Sequence, residues 1–443
     1  MQFSDLSKWS LEHKARHTLG KVWANGCRFL LGAAFLFSGF VKANDPTGVF
    51  YKLQEYAEAF HVHEALPTVL LFLSAIALGV VEFSLGIYLI FGIRRNGTSR
   101  LTLLLLSFFT PLTLWLALAN PIQDCGCFGD AILLGNWQTF WKNVVLWVAA
   151  VSVFRGRHRL FKLVSHKVDW LIGLYSMVFI LFYALYCLHT LPVFDFRPYH
   201  IGADIRKGME MPPDQHPTVY ETTFIYARNG QEQEFTIDKL PSDSTWTFIN
   251  AKTTIKEQGY EPPIHDFSIT LQEDGTDVTD EVLDDPGYTF LLIMPHVAEA
   301  DDSNIDLVNE VYDYCVENSY RFICLTASSD EDINRWQEDT GAEYPFARTD
   351  DVTLNTMIRA NPGLMLLRKG VILHKWGADE FPDEYDLSAP LERLTLGQSG
   401  QKTVVRQIME VLGWFIGPLL ALSLCDALWK MARARRNQKQ TTH

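Results

Sequence analysis

The sequence predicts a multi-span α-helical membrane bundle joined to an α/β domain that lies outside the membrane. Three observations predict it. Six apolar segments are each long enough to cross a bilayer, basic residues gather on one side of them, and the single long polar stretch alternates strand-like with helix-like patterns.

A spanning helix needs about 20 mainly apolar residues. Segments 22–43, 67–92, 100–119, 138–154, 169–191 and 407–430 fit, the fourth being the shortest. The first is expected to be a span and not a cleaved leader, because it is long and Gly39-Phe40-Val41-Lys42 offers no small-residue cleavage site. Lys8, Lys14, Arg16 and Lys21 precede the first segment, and Arg94, Arg95 and Arg100 separate the second from the third. Arg155, Arg157, Arg159, Lys162 and Lys167 separate the fourth from the fifth, and Lys430, Arg433, Arg435, Arg436 and Lys439 follow the sixth. With six crossings all four clusters share one face, which the positive-inside rule makes cytoplasmic. Residues 1–21 and 431–443, and so both termini, are then cytoplasmic, while loops 44–66 and 120–137 and the whole of 195–402 lie outside. The expected location is the inner membrane of a bacterium, with membrane lipid around the bundle and 195–402 in the periplasm, where disulfides persist.

Charge divides the chain in the same way. Residues 195–402 carry 40 acidic against 16 basic side chains, a net of −24, and the rest of the 443 residues have a net of +10. No nucleic-acid partner is expected, because basic residues are confined to short cytoplasmic loops. The sequence has no zinc-ligand spacing, phosphate-binding glycine loop or serine elbow, so no metal site is expected.

Few residues can carry chemistry. Seven cysteines leave at least one without an internal partner. Cys125 and Cys127, in Asp124-Cys-Gly-Cys-Phe-Gly-Asp130, lie in an outside loop. Thiols one residue apart can close a strained, easily reduced disulfide or bind a soft metal; Gly126 relieves the backbone strain of so small a ring. Asp124 and Asp130 are expected to raise the thiol pKa values. The bland alternative is a turn that the pair merely shapes. Cys187 lies about 6 Å inside the outer end of the fifth segment at the helical rise; it is a candidate exchange partner or an inert packing residue. Cys27 and Cys425, near inner ends, are read as packing residues.

Glu82 stands midway along the second segment, where an acidic residue costs about 2.5–3.5 kcal/mol. It is a proton carrier or a quinone-headgroup contact, or else a protonated group bonded to a neighbouring helix. Lys42, at the outer end of the first segment, reads as an anchor that snorkels to the interface. One mid-span ionisable residue is too sparse a polar path for a transporter.

Phe37-Ser-Gly-Phe-Val-Lys-Ala-Asn-Asp-Pro-Thr-Gly48, then Glu82 before a glycine-rich span end, then Cys125-Gly-Cys-Phe-Gly129, resemble the DoxX-like superfamily and within it the MauE-type branch, over residues 20–155. The resemblance implies a four-helix membrane domain over 22–155, to which helices 169–191 and 407–430 are added. It also implies quinone-linked sulfur oxidation, or maturation of disulfide-rich periplasmic proteins beside a thioredoxin-like partner. A bilayer quinone would be the carrier, with no covalently bound cofactor.

In the outer region, residues 195–264, with Pro198, Pro212, Pro213 and Pro217, read as an extended lead-in. Beyond it, strands are expected at 288–294, 321–326 and 346–349, helices at 304–318, 333–340 and 354–360, and a hairpin over 364–376 turning at Lys369-Gly370. This order resembles the thioredoxin fold of the redoxin type over 265–395, with Asn361-Pro362-Gly363 resembling the cis-proline turn above that family's active site. The family's Cys-x-x-Cys pair is missing: Pro295-His-Val-Ala-Glu-Ala300 stands where it would lie. His296 is a weak substitute, and Cys315 and Cys324 are expected to be buried in the core. The domain is therefore expected to bind an extended peptide beside Asn361 and Pro362 and not to exchange thiols.

Two functions follow. One is a thiol–disulfide electron-transfer accessory protein: Cys125 and Cys127 form the redox pair, Cys187 exchanges with them, Glu82 handles protons, and a periplasmic client or thioredoxin-like partner docks outside. The other is a non-catalytic anchored scaffold whose thioredoxin-like domain binds a periplasmic partner.

Overall fold

The computed structural model describes residues 3–122, 124–228, 231–236, 240, 246–257, 259–265, 267–398 and 404–441. The chain divides into two compact units, residues 1–197 with 401–443, and residues 198–400.

The first unit is all helical: α1 (Phe3–Asn44), α2 (Pro46–Ala59), α3 (Thr68–Phe91), α4 (Arg95–Ala119), α5 (Asn136–Arg155), α6 (Asp169–His189) and, from the far end of the chain, α12 (Val404–Thr441). Among the described residues, five segments are long and apolar enough to cross a membrane: Thr18–Asn44, Thr68–Phe91, Arg95–Ala119, Asp169–His189 and Val405–Trp429. The expected fourth span, α5, forms as a 20-residue helix but is not among them. Gln138, Lys142 and Asn143 lower its apolar content, and Asn143 is buried, donating to Thr113 Oγ1 at 3.2 Å.

Helices α1 and α3 meet through glycine. A Cβ on Gly39 would lie 2.2 Å from Phe83 N, and one on Gly86 would lie 2.6 Å from Leu36 N. Only hydrogen at those positions lets the two backbones approach, the usual device where lipid supplies no hydrophobic drive between helices. Beside this seam, Phe83, Ile87, Ile180, Tyr183 and Phe415 join α3, α6 and α12 in one apolar cluster. Asn44 ends α1 inside it, its Oδ1 accepting from Tyr183 Oη at 2.9 Å and its Nδ2 donating to Phe194 O at 2.7 Å.

In the second unit the expected extended lead-in is only partly extended. It holds α7 (Ile205–Met209) and then a three-stranded antiparallel sheet of β1 (Val219–Arg228), β2 (Gln231–Thr236) and β3 (Thr247–Glu257), in the order β2-β1-β3. Tyr226 of β1 packs edge-on against Phe235 and Phe248 of its neighbours, the cross-strand aromatic pairing that stabilises such sheets.

The main sheet has six strands in the order β4-β7-β6-β5-β8-β9. These are β4 (Thr270–Leu271), β5 (Tyr288–Ile293), β6 (Arg321–Thr326), β7 (Phe346–Arg348), β8 (Gly363–Arg368) and β9 (Val371–Gly377); the helices are α8 (Thr279–Leu283), α9 (Ile305–Asn318), α10 (Asp330–Thr340) and α11 (Asp351–Met357). Strand β5 runs parallel to β6 and antiparallel to β8, which pairs antiparallel with β9. Every residue of β5 is buried, as a central strand covered on both faces requires. Val308, Val311 and Cys315 of α9 and Ile333 and Trp336 of α10 pack on Phe290, Leu292, Phe322 and Cys324. The hairpin turns at Lys369-Gly370 as expected, both with positive φ (51° and 70°). Helices α10 and α11 each start three residues before the expected point. Their starts are set by polar caps that hydrophobic spacing does not register: Ser329 accepts from Asp332 N, and Asp350 from Thr353 N.

Candidate redox site

The loop between α4 and α5 returns on itself, with Asp124 and Gly135 forming an antiparallel bridge. Asp124 sets the turn: its Oδ1 accepts from Gly126 N at 2.8 Å and its Oδ2 from Lys52 Nζ at 3.4 Å. Gly126 sits at φ 64°, and a Cβ there would lie 2.8 Å from Lys52 Cγ, so the middle residue must be glycine on two counts. This geometry brings Cys125 Sγ to 2.8 Å from Cys127 Sγ. Helix α2 covers the turn, Tyr56 Oη donating to Cys125 O at 3.2 Å.

Beneath the loop lies a buried polar knot. Lys42 Nζ donates to Ser38 Oγ at 2.6 Å, to Glu82 Oε2 at 2.7 Å and to Cys127 O at 2.8 Å. Ser38 Oγ lies 2.7 Å from Glu82 Oε2 and 2.8 Å from Cys127 O. Lys42 and Glu82 are 5% and 6% exposed, so the expectation of a snorkelling Lys42 is corrected. The α1–α3 glycine seam turns the lysine inward, where Glu82 neutralises it. A buried ion pair survives only with its remaining hydrogen-bonding capacity filled, and here the ammonium's three N–H groups all have acceptors. The knot ties α1, α3 and the Cys127 carbonyl together.

The two thiols are polarised in opposite senses. The hydrogen bond from Cys125 holds Cys127 below the ordinary thiol range, at about 6, helped by the positive charges of Lys142 and Lys42. Cys125, which shares that bond and is half-buried, is pushed up. The expectation that both thiols are raised by their acidic neighbours is thus corrected for Cys127. Asp124 is occupied by Gly126 N and Lys52, and of the charges that act on the sulfur, Lys142 and Lys42 lower it more than Glu82 raises it. Lys142 also lies 4.2 Å above the Phe128 ring, which fixes it beside the pair. Sequence reasoning missed Ser38, Lys52, Tyr56 and Lys142; only the unusual lysine within the fourth apolar segment offered a signal.

Cys187 is 3% exposed in the cluster of Ala43, Phe83, Tyr183 and Ala184, which includes neither loop cysteine. Cys27 is buried, as a packing residue should be, whereas Cys425 is exposed on α12. In the second unit, the Asn361–Pro362 bond is cis, and Asn361 Nδ2 donates to His296 O at 2.8 Å. Asn361 and His296 are therefore brought together across the top of β5 and β8. The His296 imidazole, 53% exposed, lies 3.3 Å from Asp351 Oδ1. Cys315 and Cys324 are buried in the core, as expected, and burial pushes both thiols up.

Fold and site together define a multi-span membrane protein with a polarised thiol pair at one end of its bundle, and an α/β unit with thioredoxin-like strand order. Residues 20–155 match the family described as methylamine utilisation protein MauE, and residues 220–258, the three-stranded sheet, match a domain of unknown function, DUF8463. No curated protein matches the chain. Among solved structures, it is similar to a provisionally named protein disulfide isomerase from Bacteroides thetaiotaomicron, at 20% identity and TM-score 0.22, over 28% of this chain and 80% of that one. It is also similar to an uncharacterized conserved protein from Geobacillus kaustophilus, at 16% identity and TM-score 0.24, over 31% of this chain and 82% of that one. A third is a provisionally named thiol:disulfide interchange protein DsbE from Chlorobium tepidum, at 12% identity and TM-score 0.23, over 34% of this chain and 94% of that one.

Proposed function

We propose that this protein is an inner-membrane thiol–disulfide electron-transfer accessory that assists redox maturation of periplasmic proteins, with a bilayer quinone as the final acceptor. The supporting observation is the opposed polarisation of two sulfurs 2.8 Å apart. With the pair oxidised, a client thiolate attacks Cys125 Sγ, and Cys127 leaves as the better-stabilised thiolate, since the thiol of lower pKa leaves faster. The client's second thiolate then attacks its own sulfur in the mixed disulfide, and Cys125 departs, taking up a proton. The client gains a disulfide, and Cys125 and Cys127 gain its two electrons. A quinone would supply the acceptor for those electrons when the pair re-forms. Glu82 and Lys42 do not fit a quinone headgroup as they stand, because the lysine's three N–H groups are spent and Glu82 Oε2 already accepts from Lys42 Nζ and Ser38 Oγ. Their part is to hold the Cys127 carbonyl and its charge environment, and no step is routed through them. The α/β unit would hold the client beside Asn361, Pro362 and His296.

The test is to quench whole cells with acid, label thiols and analyse Cys125, Cys127 and Cys187 by mass spectrometry in the native protein. A mixed disulfide between Cys125 and another protein is expected, together with a reduced pair in the native protein when quinone is depleted. If Cys125→Ser with Cys127→Ser leaves client oxidation intact while changes around Pro362 abolish it, the protein is the non-catalytic scaffold.

A further inference from the structure

The proposed exchange leaves one step without help. When the client's second thiolate closes its disulfide, the bond between the client and Cys125 breaks and its electron pair moves to Cys125 Sγ. That sulfur is the poorer leaving group of the pair, because its bond to Cys127 and its burial push its thiol above the ordinary range. It also departs beside Cys127, which is already a thiolate. Such a step needs a hydrogen-bond donor aimed at Cys125 Sγ, since bonds to an ionised acceptor are the strong ones.

Tyr56 is placed to be that donor. It lies on α2 one turn after Lys52, so the two side chains share the helix face that meets the thiol loop. Lys52 Nζ reaches Asp124 Oδ2 at 3.4 Å, and Tyr56 Oη reaches Cys125 O at 3.2 Å. Helix α2 is fixed at its start by Asp45, which accepts from Gly48 N at 2.9 Å, and by Pro46 in its first turn. The same hydroxyl hydrogen-bonds to the Cys125 side chain, and of the groups acting on that thiol it is the largest that favours the thiolate. Rotation about the C–O bond alone turns its proton from the carbonyl to the sulfur. Burial pushes the phenol itself far above its ordinary range, so it keeps its proton and remains a donor. Lys142, the other group that favours a Cys125 thiolate, acts as a charge and is held over the Phe128 ring.

We infer that Tyr56 is a catalytic residue of the release step: its hydroxyl donates a hydrogen bond to the charge that develops on Cys125 Sγ as the client leaves. The proton that Cys125 finally takes up is the one given up by the client's second thiol, carried by solvent, and Tyr56 keeps its own. The inference rests on the reading that clients are held on Cys125. It also makes the two steps unequal. In the opening attack on the oxidised pair, Cys125 is the central sulfur of three and the charge sits on the outer two, so Tyr56 matters little there.

The experiment uses the detergent-solubilised full chain. In the Cys127→Ala protein, hydroxyethyl methanethiosulfonate converts Cys125 to its mixed disulfide with mercaptoethanol. Dithiothreitol is then added, and mass spectrometry of the Cys125 peptide follows release of the free thiol. Adding Tyr56→Phe, which removes only the hydroxyl, should slow release about tenfold or more, the loss of a hydrogen bond to a charged group. It should also move the pH inflection for alkylation of the free Cys125 thiol upward, which a tyrosine that merely braced the Cys125 carbonyl would not do. On the oxidised Cys125–Cys127 pair, formation of the first mercaptoethanol adduct should run at the same rate with and without Tyr56→Phe. An unchanged release rate or an unchanged inflection would overturn the assignment while leaving the exchange itself intact. First-adduct formation slowed as much as release would mean a general distortion of the loop and overturn it too. Addition of mercaptoethanol at Cys127 of the oxidised pair, and not at Cys125, would overturn the exchange scheme and the assignment with it.

Discussion

The membrane unit and the α/β unit both hold pairs of cysteines, in opposite surroundings. Cys125 and Cys127 lie on a loop, touch each other, and feel two lysines. Cys315 and Cys324 lie inside a strand–helix core whose neighbours are Phe290, Phe322 and Tyr344, and burial raises both. The α/β core holds the shielded sulfurs here, and a helical bundle holds the polarised ones. Reactivity follows local field and access, not architecture.

The largest effect that can break this comparison is a labelling contrast. In the folded, detergent-solubilised protein, Cys127 should react with iodoacetamide directly, while Cys315 and Cys324 react only through opening of the core. Their rates should be lower by about a thousandfold or more, the penalty of a sizeable opening free energy. Peptide mass spectrometry over a time course measures all three together. Comparable rates would show the core thiols to be accessible and the contrast void.

Next in size is the ion pair under the loop. Lys42→Met leaves Glu82 buried without its counter-charge and should destabilise the protein by about 3–5 kcal/mol. Lys42→Met combined with Glu82→Leu removes both charges and should recover most of the loss, read as the unfolding midpoint in detergent. A single variant as stable as the native chain would mean that the pair is solvated and that its tie to Cys127 O is incidental.

Much of this fold was legible in the sequence, and the failures share a cause. Apolar length gave the helices, and alternating apolar blocks gave β5, β6 and the hairpin at Lys369-Gly370. Glu82 and Lys42 were each visible, but not their pairing across 40 residues, which depends on how closely Gly39 and Gly86 let two backbones approach. The three-stranded sheet was missed because the apolar residues of its strands cluster instead of alternating, as in Phe224-Ile225-Tyr226-Ala227 of β1, among Thr, Glu, Gln and Lys. At the site, Cys125 and Cys127 were evident, whereas their opposed polarisation rests on Lys142 arriving from another helix.

A smaller effect isolates the turn. Gly126→Ala forces a Cβ onto a φ of 64° and against Lys52 Cγ, a cost of about 1–2 kcal/mol from the backbone alone. The fold should survive, but the sulfurs should separate. The expected readout is slower closure of the Cys125–Cys127 disulfide under a mild oxidant. Unchanged closure would show that the spacing of the pair does not depend on this backbone conformation.

The smallest effect concerns charge alone. Because Cys127 is lowered from the ordinary thiol value to about 6, its thiolate predominates above that pH and is lost below it. The alkylation rate of Cys127 should therefore be flat from neutral pH down to the inflection and then fall about tenfold per pH unit, as proton uptake at a single site requires. Lys142→Gln removes one of the two helping charges and should move the inflection upward. Cys125→Ala removes the hydrogen bond that contributes most to the lowering and should move it further. This order of shifts separates two accounts of the site. If Lys142→Gln moved the inflection more than Cys125→Ala, the lysine field would be the dominant stabiliser, and Cys125 would be a partner in bonding only.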